Sequence, residues 1–201
     1  MTLTAVDRLG PTVSIMTSRH IALLKLAPLN VLDVEEIRRW RNLDISPLRT
    51  SFPLTDQMQQ EFYRNTVCNR QATSRHWRLE NDEGALVGMG GFNPIQWENG
   101  LGEITLIMHP DKRGFGYGST AVALLLEEAF DRMRLAVVCG EAYWNNPLTV
   151  EFWAGITKAY GGVTVRLPSR KFWNGQHWDA MYFSVGAEQY RKTTYVEAKT
   201  S

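Results

Sequence analysis

Three glycines alternate with aromatic residues in Arg113-Gly114-Phe115-Gly116-Tyr117-Gly118-Ser119, between a stretch that reads as a strand and one that reads as a long helix. Such a junction aims several backbone N–H groups and the positive end of a helix dipole at one spot, which makes it an anion site. Side chains at Gly114, Gly116 or Gly118 would block the approach of a phosphate to the backbone or forbid a positive φ. Two phosphate-binding patterns fail at named residues. A dinucleotide fingerprint counted from Gly114 and Gly116 puts Ser119 where its third glycine belongs. A nucleoside triphosphate loop ends in Gly-Lys-Ser/Thr, and no lysine follows these glycines. A third pattern, Arg/Gln-x-x-Gly-x-Gly/Ala, is met by Arg113, Gly116 and Gly118, with His109-Pro110-Asp111 just upstream.

On these residues the sequence resembles the GNAT superfamily of acyl-coenzyme A N-acyltransferases. The core of the resemblance covers roughly residues 101 to 160, and weaker matches run from about 20 to 186. Asn146-Pro147-Leu148-Thr149-Val150-Glu151-Phe152-Trp153 stands where the family carries an Asn-x-x-Ala-Ile-x-x-Tyr-like helix start. Phe172-Trp173-Asn174-Gly175-Gln176-His177-Trp178-Asp179 and Arg39-Trp40-Arg41-Asn42 resemble the branch of ribosomal-protein N-terminal and spermidine acetyltransferases. The resemblance implies an α/β (α+β) fold: a mixed, mostly antiparallel sheet of six to seven strands, split at strands 4 and 5 and flanked by about four helices. It implies acetyl-coenzyme A as the donor substrate, with pantetheine in the split against the backbone of Ile107 and Met108. The pyrophosphate would then meet the N–H groups of Arg113, Gly114, Phe115, Gly116, Tyr117, Gly118 and Ser119. Asn146 either hydrogen-bonds the pantetheine arm or caps the helix that begins at Pro147, and the two roles are compatible.

Attack of an amine on a thioester requires the amine to lose a proton, so a base belongs near the split. Glu103 is the candidate, at the position where some relatives carry a glutamate base; its other reading is a solvated or ion-paired carboxylate. Relatives often protonate the departing thiolate with a tyrosine, but that position holds Trp153, whose indole N–H donates a hydrogen bond without being a useful acid. Tyr143 is the substitute, or else a packing residue. The reaction expected is acetyl transfer to a primary amine, on a small molecule or a protein N-terminus, by direct attack in a ternary complex. Trp153 keeps two alternatives open: a coenzyme A-binding protein without turnover, and a transferase for another acyl group. Trp40, Trp77, Trp97, Trp144 and Trp178 line an acceptor pocket or pack a core. Arg38, Arg39 and Arg41 contact an anionic acceptor or, beside Glu35 and Glu36, form a solvated helix face. His20, His76, His109 and His177 lack metal-ligand spacing, and no metal is expected.

The elements that would position these residues follow from periodicity and turn chemistry. Ile21 to Leu26 suggests a first strand, and Asp33-Val34-Glu35-Glu36 has the spacing of a helix cap with a reciprocal acid, opening a helix to about 43. Past the Pro47 to Pro53 loop, Thr55 and Asp56 cap a helix to about Val67, with Met58, Phe62 and Tyr63 facing inward. Arg75–Glu80 and Ala85–Phe92 form a hairpin across Asn81-Asp82-Glu83-Gly84, and another strand runs from 101 to 109. Gly118 to Met133 carries apolar residues at helical spacing. Leu135–Ala142 reads as a buried strand, Pro147–Tyr160 as a helix, and about 163–173 and 176–185 as a hairpin turning at Asn174-Gly175.

The chain has 201 residues, 44% of them hydrophobic, enough for one domain with its own core. We read residues 1–18 as an N-terminal extension, 19–187 as the acyltransferase domain and 188–201 as a polar C-terminal tail. A formal charge of +1 gives no global field to collect nucleic acid, which is not indicated as a partner. Cys68 and Cys139 are far apart and read as reduced. The sequence offers neither a secretory leader nor an apolar stretch long enough to span a bilayer, so the expectation is a cytoplasmic protein with no membrane partner. The last hairpin is a candidate surface for a homodimer.

Overall fold

The computed structural model describes residues 23–49 and 51–197; the expected N-terminal extension, and Ile21 of the expected first strand, lie outside them. The elements are β1 (Leu24–Pro28), α1 (Val31–Leu43), α2 (Asp56–Phe62), β2 (Arg75–Asn81), β3 (Leu86–Gln96), β4 (Leu101–Met108), α3 (Tyr117–Glu127), β5 (Val137–Tyr143), α4 (Pro147–Ala159), β6 (Val163–Trp173), β7 (Gln176–Gly186) and α5 (Ala187–Glu197). A single π turn prolongs α2 to Val67, and another prolongs α3 to Arg132. The seven strands form one sheet in the order β1-β2-β3-β4-β5-β7-β6, antiparallel except where β4 meets β5.

The central core lies on one face of the sheet, where Val122, Leu125, Leu126, Ala129 and Phe130 of α3 and its π turn pack with Val150 and Trp153 of α4 over Phe92, Ile104, Val138 and Phe183. On the other face α1 sets Val34, Ile37 and Trp40 against Met89, with Phe62 and Tyr63 at the margin. Burial of these apolar stripes drives the two-sided layering.

Three local readings are corrected. The cap of α1 is Asn30: its Oδ1 accepts from the N–H groups of Leu32 and Asp33 at 2.8 and 3.0 Å, and Asp33 Oδ2 accepts from the Asn30 N–H at 2.9 Å. The reciprocal pair therefore sits three residues earlier than expected, because buried Asp33 also takes Nη1 of Arg78 from β2 at 3.1 Å. In α2, Met58 is 40% exposed, and it is Gln59 that is buried, its Nε2 donating to the Val34 carbonyl at 2.9 Å. The segment from 187, expected to be a polar tail from 188, is helical and buries Tyr190 against Phe130, ring centres 5.0 Å apart.

His76 on β2 faces the ring of Phe62, centres 5.1 Å apart, and neither of its nitrogens has a hydrogen-bond partner among the described residues. Burial pushes its pKa down from 6.5 to about 4. Its neutral form is therefore favoured by folding: the contribution is complete above pH 6.5 and is lost as pH falls from 6.5 through 4, a loss of up to about 3 kcal/mol. Between pH 7 and 5 the wild-type Tm is expected to fall by roughly 5 °C more than that of His76→Phe, as thermal melts across pH would show. Parallel Tm profiles would mean that His76 does not set the acid sensitivity.

Candidate active site

After β4 the chain turns at His109, whose Nδ1 accepts from the Asp111 N–H at 3.1 Å and whose ring stands edge-on to Trp40 at 4.7 Å. His109 is thus a structural corner between β4 and the glycine loop. Gly114 and Gly116 have φ of 81° and 84°, and a Cβ on either would meet nothing within 4 Å among the described residues. Gly116 is also the N-cap of α3 and offers no side-chain acceptor. The first-turn N–H groups, on Tyr117, Gly118 and Ser119, have no intrahelical partner, so a dipole-favoured set of donors faces an open space. Phe115 is 67% exposed and Arg113 is exposed beside them. Gly118 serves another purpose: a Cβ there would meet the Phe152 ring at 3.2 Å, so the missing side chain lets α4 close on α3.

The strand leading to this loop has an open edge. β4 pairs with β3 as far as Met108, but with β5 only through Leu101↔Val137, Gly102↔Val138 and Glu103↔Cys139. β5 instead stays with β7 out to Tyr143↔Ala180. Beyond Glu103 the two central strands diverge, and about 16 Å of β4 presents backbone groups that β5 does not use. Ile107 and Met108 pack their side chains into apolar clusters on opposite faces, so only their backbone is offered at the edge. Asn146 caps α4, its Oδ1 accepting from the Thr149 N–H at 3.4 Å, with Pro147 at the first helical position. That capping accounts for Asn146 without a ligand.

Trp153 is 8% exposed and stacks on Phe183, ring centres 4.6 Å apart and planes 16° apart. It belongs to the core, which explains why this position can do without a phenol. Trp153→Phe is expected to lower stability by about 1–3 kcal/mol, read as Tm, and to leave kcat within about threefold. A collapse of kcat at unchanged Tm would return the residue to the chemistry.

Alternation along β5 puts Cys139, Glu141 and Tyr143 on one face, and the register adds Glu103 from β4 and Tyr182 from β7. Arg49, from the loop joining α1 to α2, reaches this face. It donates to Glu103 Oε1 through Nη2 and to the Tyr143 hydroxyl through Nε at 3.1 Å, with Glu141 Oε2 4.0 Å away. Tyr143 passes its own proton toward Glu141 Oε2 at 3.1 Å, and Glu141 Oε1 accepts from Arg170 Nη2 at 3.1 Å. Burial opposes the charge on Arg49, but hydrogen bonds to Glu103 and Tyr143 outweigh it and raise its pKa. Burial, aided by the Glu141 charge, also raises the Tyr143 pKa against the pull of Arg49, so its hydroxyl stays protonated at neutral pH. Burial raises the pKa of the Cys139 thiol, which disfavours the thiolate.

The loop carrying Arg49 is held from two sides. Lys171 of β6, 5% exposed, donates Nζ to the carbonyls of Ser46 and Leu48 at 2.5 and 2.6 Å, and Asn145 Nδ2 reaches Ser46 O at 2.6 Å. The structure thus brings the two expected catalytic residues, Glu103 and Tyr143, onto one face and links them through Arg49. The sequence reading missed Arg49, Glu141, Arg170 and Lys171; a carboxylate at Glu141 inside a strand read as buried was the available signal. Of the three helix arginines, Arg38 and Arg39 pair with Glu35, while Arg41 keeps its Nε buried without a hydrogen-bond partner among the described residues. Among the described residues no cluster of His, Cys, Asp or Glu has the makings of a metal site, and no helix is long and apolar enough to cross a membrane.

A family model described as an acetyltransferase (GNAT) domain matches residues 23–152. No curated protein sequence matches the chain. Among solved structures, spermidine N-acetyltransferase from Vibrio cholerae in complex with CoA and spermine is similar at a TM-score of 0.74 and 20% identity, over 84% of this chain and 98% of that one. A dodecameric form of the same enzyme, in an intermediate state, gives 0.70 and 21% over 83% and 95%. At such identities the likeness is one of fold.

Proposed function

The chain belongs to the acetyltransferase (GNAT) family, is an acyl-coenzyme A-dependent N-acyltransferase with acetyl-coenzyme A as donor, and from that premise we propose that it acetylates a primary amine by direct transfer. The observation that carries the proposal is the divergence of β4 from β5 after Glu103. It leaves an open strand edge that begins beside two polar side chains and ends on the capless glycine loop. Backbone of Ile107 and Met108 would bind the amides of the pantetheine arm as an added strand does. Backbone N–H groups across Arg113, Gly114, Phe115, Gly116, Tyr117, Gly118 and Ser119 would hold the pyrophosphate, with no side-chain cap competing at Gly116. The geometry fits the donor because the space above Gly114 and Gly116 is clear.

In the transfer the C–N bond forms, the C–S bond breaks, and one proton must travel from nitrogen to sulfur or to solvent. Glu103 receives it from the acceptor, directly or through water. Tyr143, kept protonated by its surroundings, is the donor available to the departing thiolate. Asn146 acts by capping α4. The acceptor is an amine on a small molecule or a peptide; the spermine complex of the structural neighbour supports the amine class and no more.

Calorimetric titration with acetyl-coenzyme A, followed by amine-dependent release of free thiol, tests the proposal. Binding together with thiol release is the expected result. Binding without release for any amine would leave a coenzyme A-binding protein, and absence of binding by folded protein would overturn the site.

A further inference from the structure

We propose that the acceptor carries an anionic group, a carboxylate or a phosphate, close to its amine, and that Arg49 and Arg170 are the specificity-determining residues that bind it. The inference rests on the amine-transfer reading above. Its origin is the charge that the cleft presents outward. Glu103 and Glu141 lie deep, with side chains 23% and 14% exposed, whereas the arginines that cover them, Arg49 and Arg170, are 52% and 51% exposed. An arriving molecule therefore meets guanidinium before it meets carboxylate.

The balance of charge points the same way. In the cleft two guanidiniums, Arg49 and Arg170, are set against two carboxylates, Glu103 and Glu141, while the Lys171 ammonium has Asp44 near it. Both carboxylates already have an internal cation, so a bare polyamine would have to displace arginines or sit beside them as a like charge. An acceptor with its own negative group completes the set instead. A guanidinium carries five N–H donors in a planar fork suited to carboxylate or phosphate. Arg49 spends Nε and Nη2 on the protein and Arg170 spends Nη2, so among the described residues Nη1 of each is left for a ligand.

Arg49 is also placed rather than adrift. Lys171 buries an ammonium to hold the Ser46 and Leu48 carbonyls, and Asn145 holds Ser46 again. Removing that charge from water is costly, and among the described residues its hydrogen-bond partners are the Ser46 and Leu48 carbonyls of the loop that carries Arg49. Lys171 is a positioning residue in this arrangement. The same face carries Glu103, so an anion on Arg49 leaves the amine of a short acceptor beside the base.

The test is a comparison of four acceptors by thiol release: an α-amino acid, an aminoalkyl phosphate, the matching neutral amino alcohol, and spermidine. Wild-type kcat/KM is expected to be at least about tenfold higher for one of the two anionic amines than for the neutral one, as one charge-assisted contact would give, and the first two arms separate carboxylate from phosphate. In Arg49→Met/Arg170→Met that ratio should fall toward one, the loss read mainly in KM, with Arg→Lys at both positions restoring part of it. A wild-type preference for spermidine, or a ratio unmoved by the double substitution, would overturn the inference. If no amine reacts although acetyl-coenzyme A binds, the failure belongs to the amine-transfer reading. Calorimetry of the coenzyme A complex with the N-acetylated anionic and neutral compounds then decides the inference: tighter binding of the anionic one, lost in the double variant, supports it, and equal binding overturns it.

Discussion

Gly116→Trp is expected to weaken acetyl-coenzyme A binding by more than a hundredfold while the chain stays folded. Gly116 sits at φ 84° on the first step into α3, and its missing Cβ faces clear space. A side chain there costs about 1–2 kcal/mol for the left-handed backbone, a fraction of the stability of an ordinary domain. What it removes is access: the indole would fill the volume in which first-turn N–H groups converge on an anion. Gly116→Ala carries the same backbone cost with little bulk, and should bind within about tenfold of wild type, so the pair separates strain from obstruction. Gly118→Trp, by contrast, should unfold the protein, since its Cβ would already press on Phe152 at 3.2 Å. Calorimetric Kd and Tm on the three variants read both quantities, and an unchanged Kd for Gly116→Trp would move the anion site elsewhere.

The difference between those two glycines marks the reach of sequence reasoning here. Spacing identified the loop, since a strand end, a glycine run and a helix start are local features, and the structure repeats that order from His109 to Glu127. It could not say that Gly118 answers to Phe152, because that contact joins residues brought together only by the packing of α3 on α4. The same limit explains the cap of α1. Asp33 has the local chemistry of a cap, yet Arg78, 45 residues away, holds it inside, and Asn30 takes the role. Gln59 reads as a surface residue until the Val34 carbonyl lies against it. The split of the sheet came with the family resemblance, and β4 and β5 show it as a register that stops at Glu103. The polar face around it was half legible. Glu103 and Tyr143 stood out by type and place, whereas Arg49 lies in an irregular loop between Pro47 and Pro53, with no period to announce a direction. Its position depends on Lys171, more than a hundred residues later in the chain, holding two carbonyls.

Glu103→Gln is the second substitution with a large expected effect, a fall in kcat of about 10²- to 10⁴-fold at neutral pH, the range for loss of a general base. Glutamine keeps the size of the side chain and an oxygen that can still accept from Arg49, so the cleft should keep its shape and acetyl-coenzyme A its affinity. Proton acceptance is what disappears. An alkyl amine resembles a lysine side chain, with a pKa near 10, and at pH 7 only about one molecule in a thousand is free base. The carboxylate matters most there, because the acceptor arrives protonated. As pH rises toward the amine pKa, free base accumulates and the variant should recover relative to wild type, so the deficit in kcat/KM is expected to shrink with pH. Tyr143→Phe supplies the contrast, since loss of a donor to the thiolate should not follow the titration of the acceptor. Profiles of kcat/KM against pH for wild type and both variants make the comparison. A Glu103→Gln profile that runs parallel to wild type would take Glu103 out of the proton path and leave it as the anchor of Arg49.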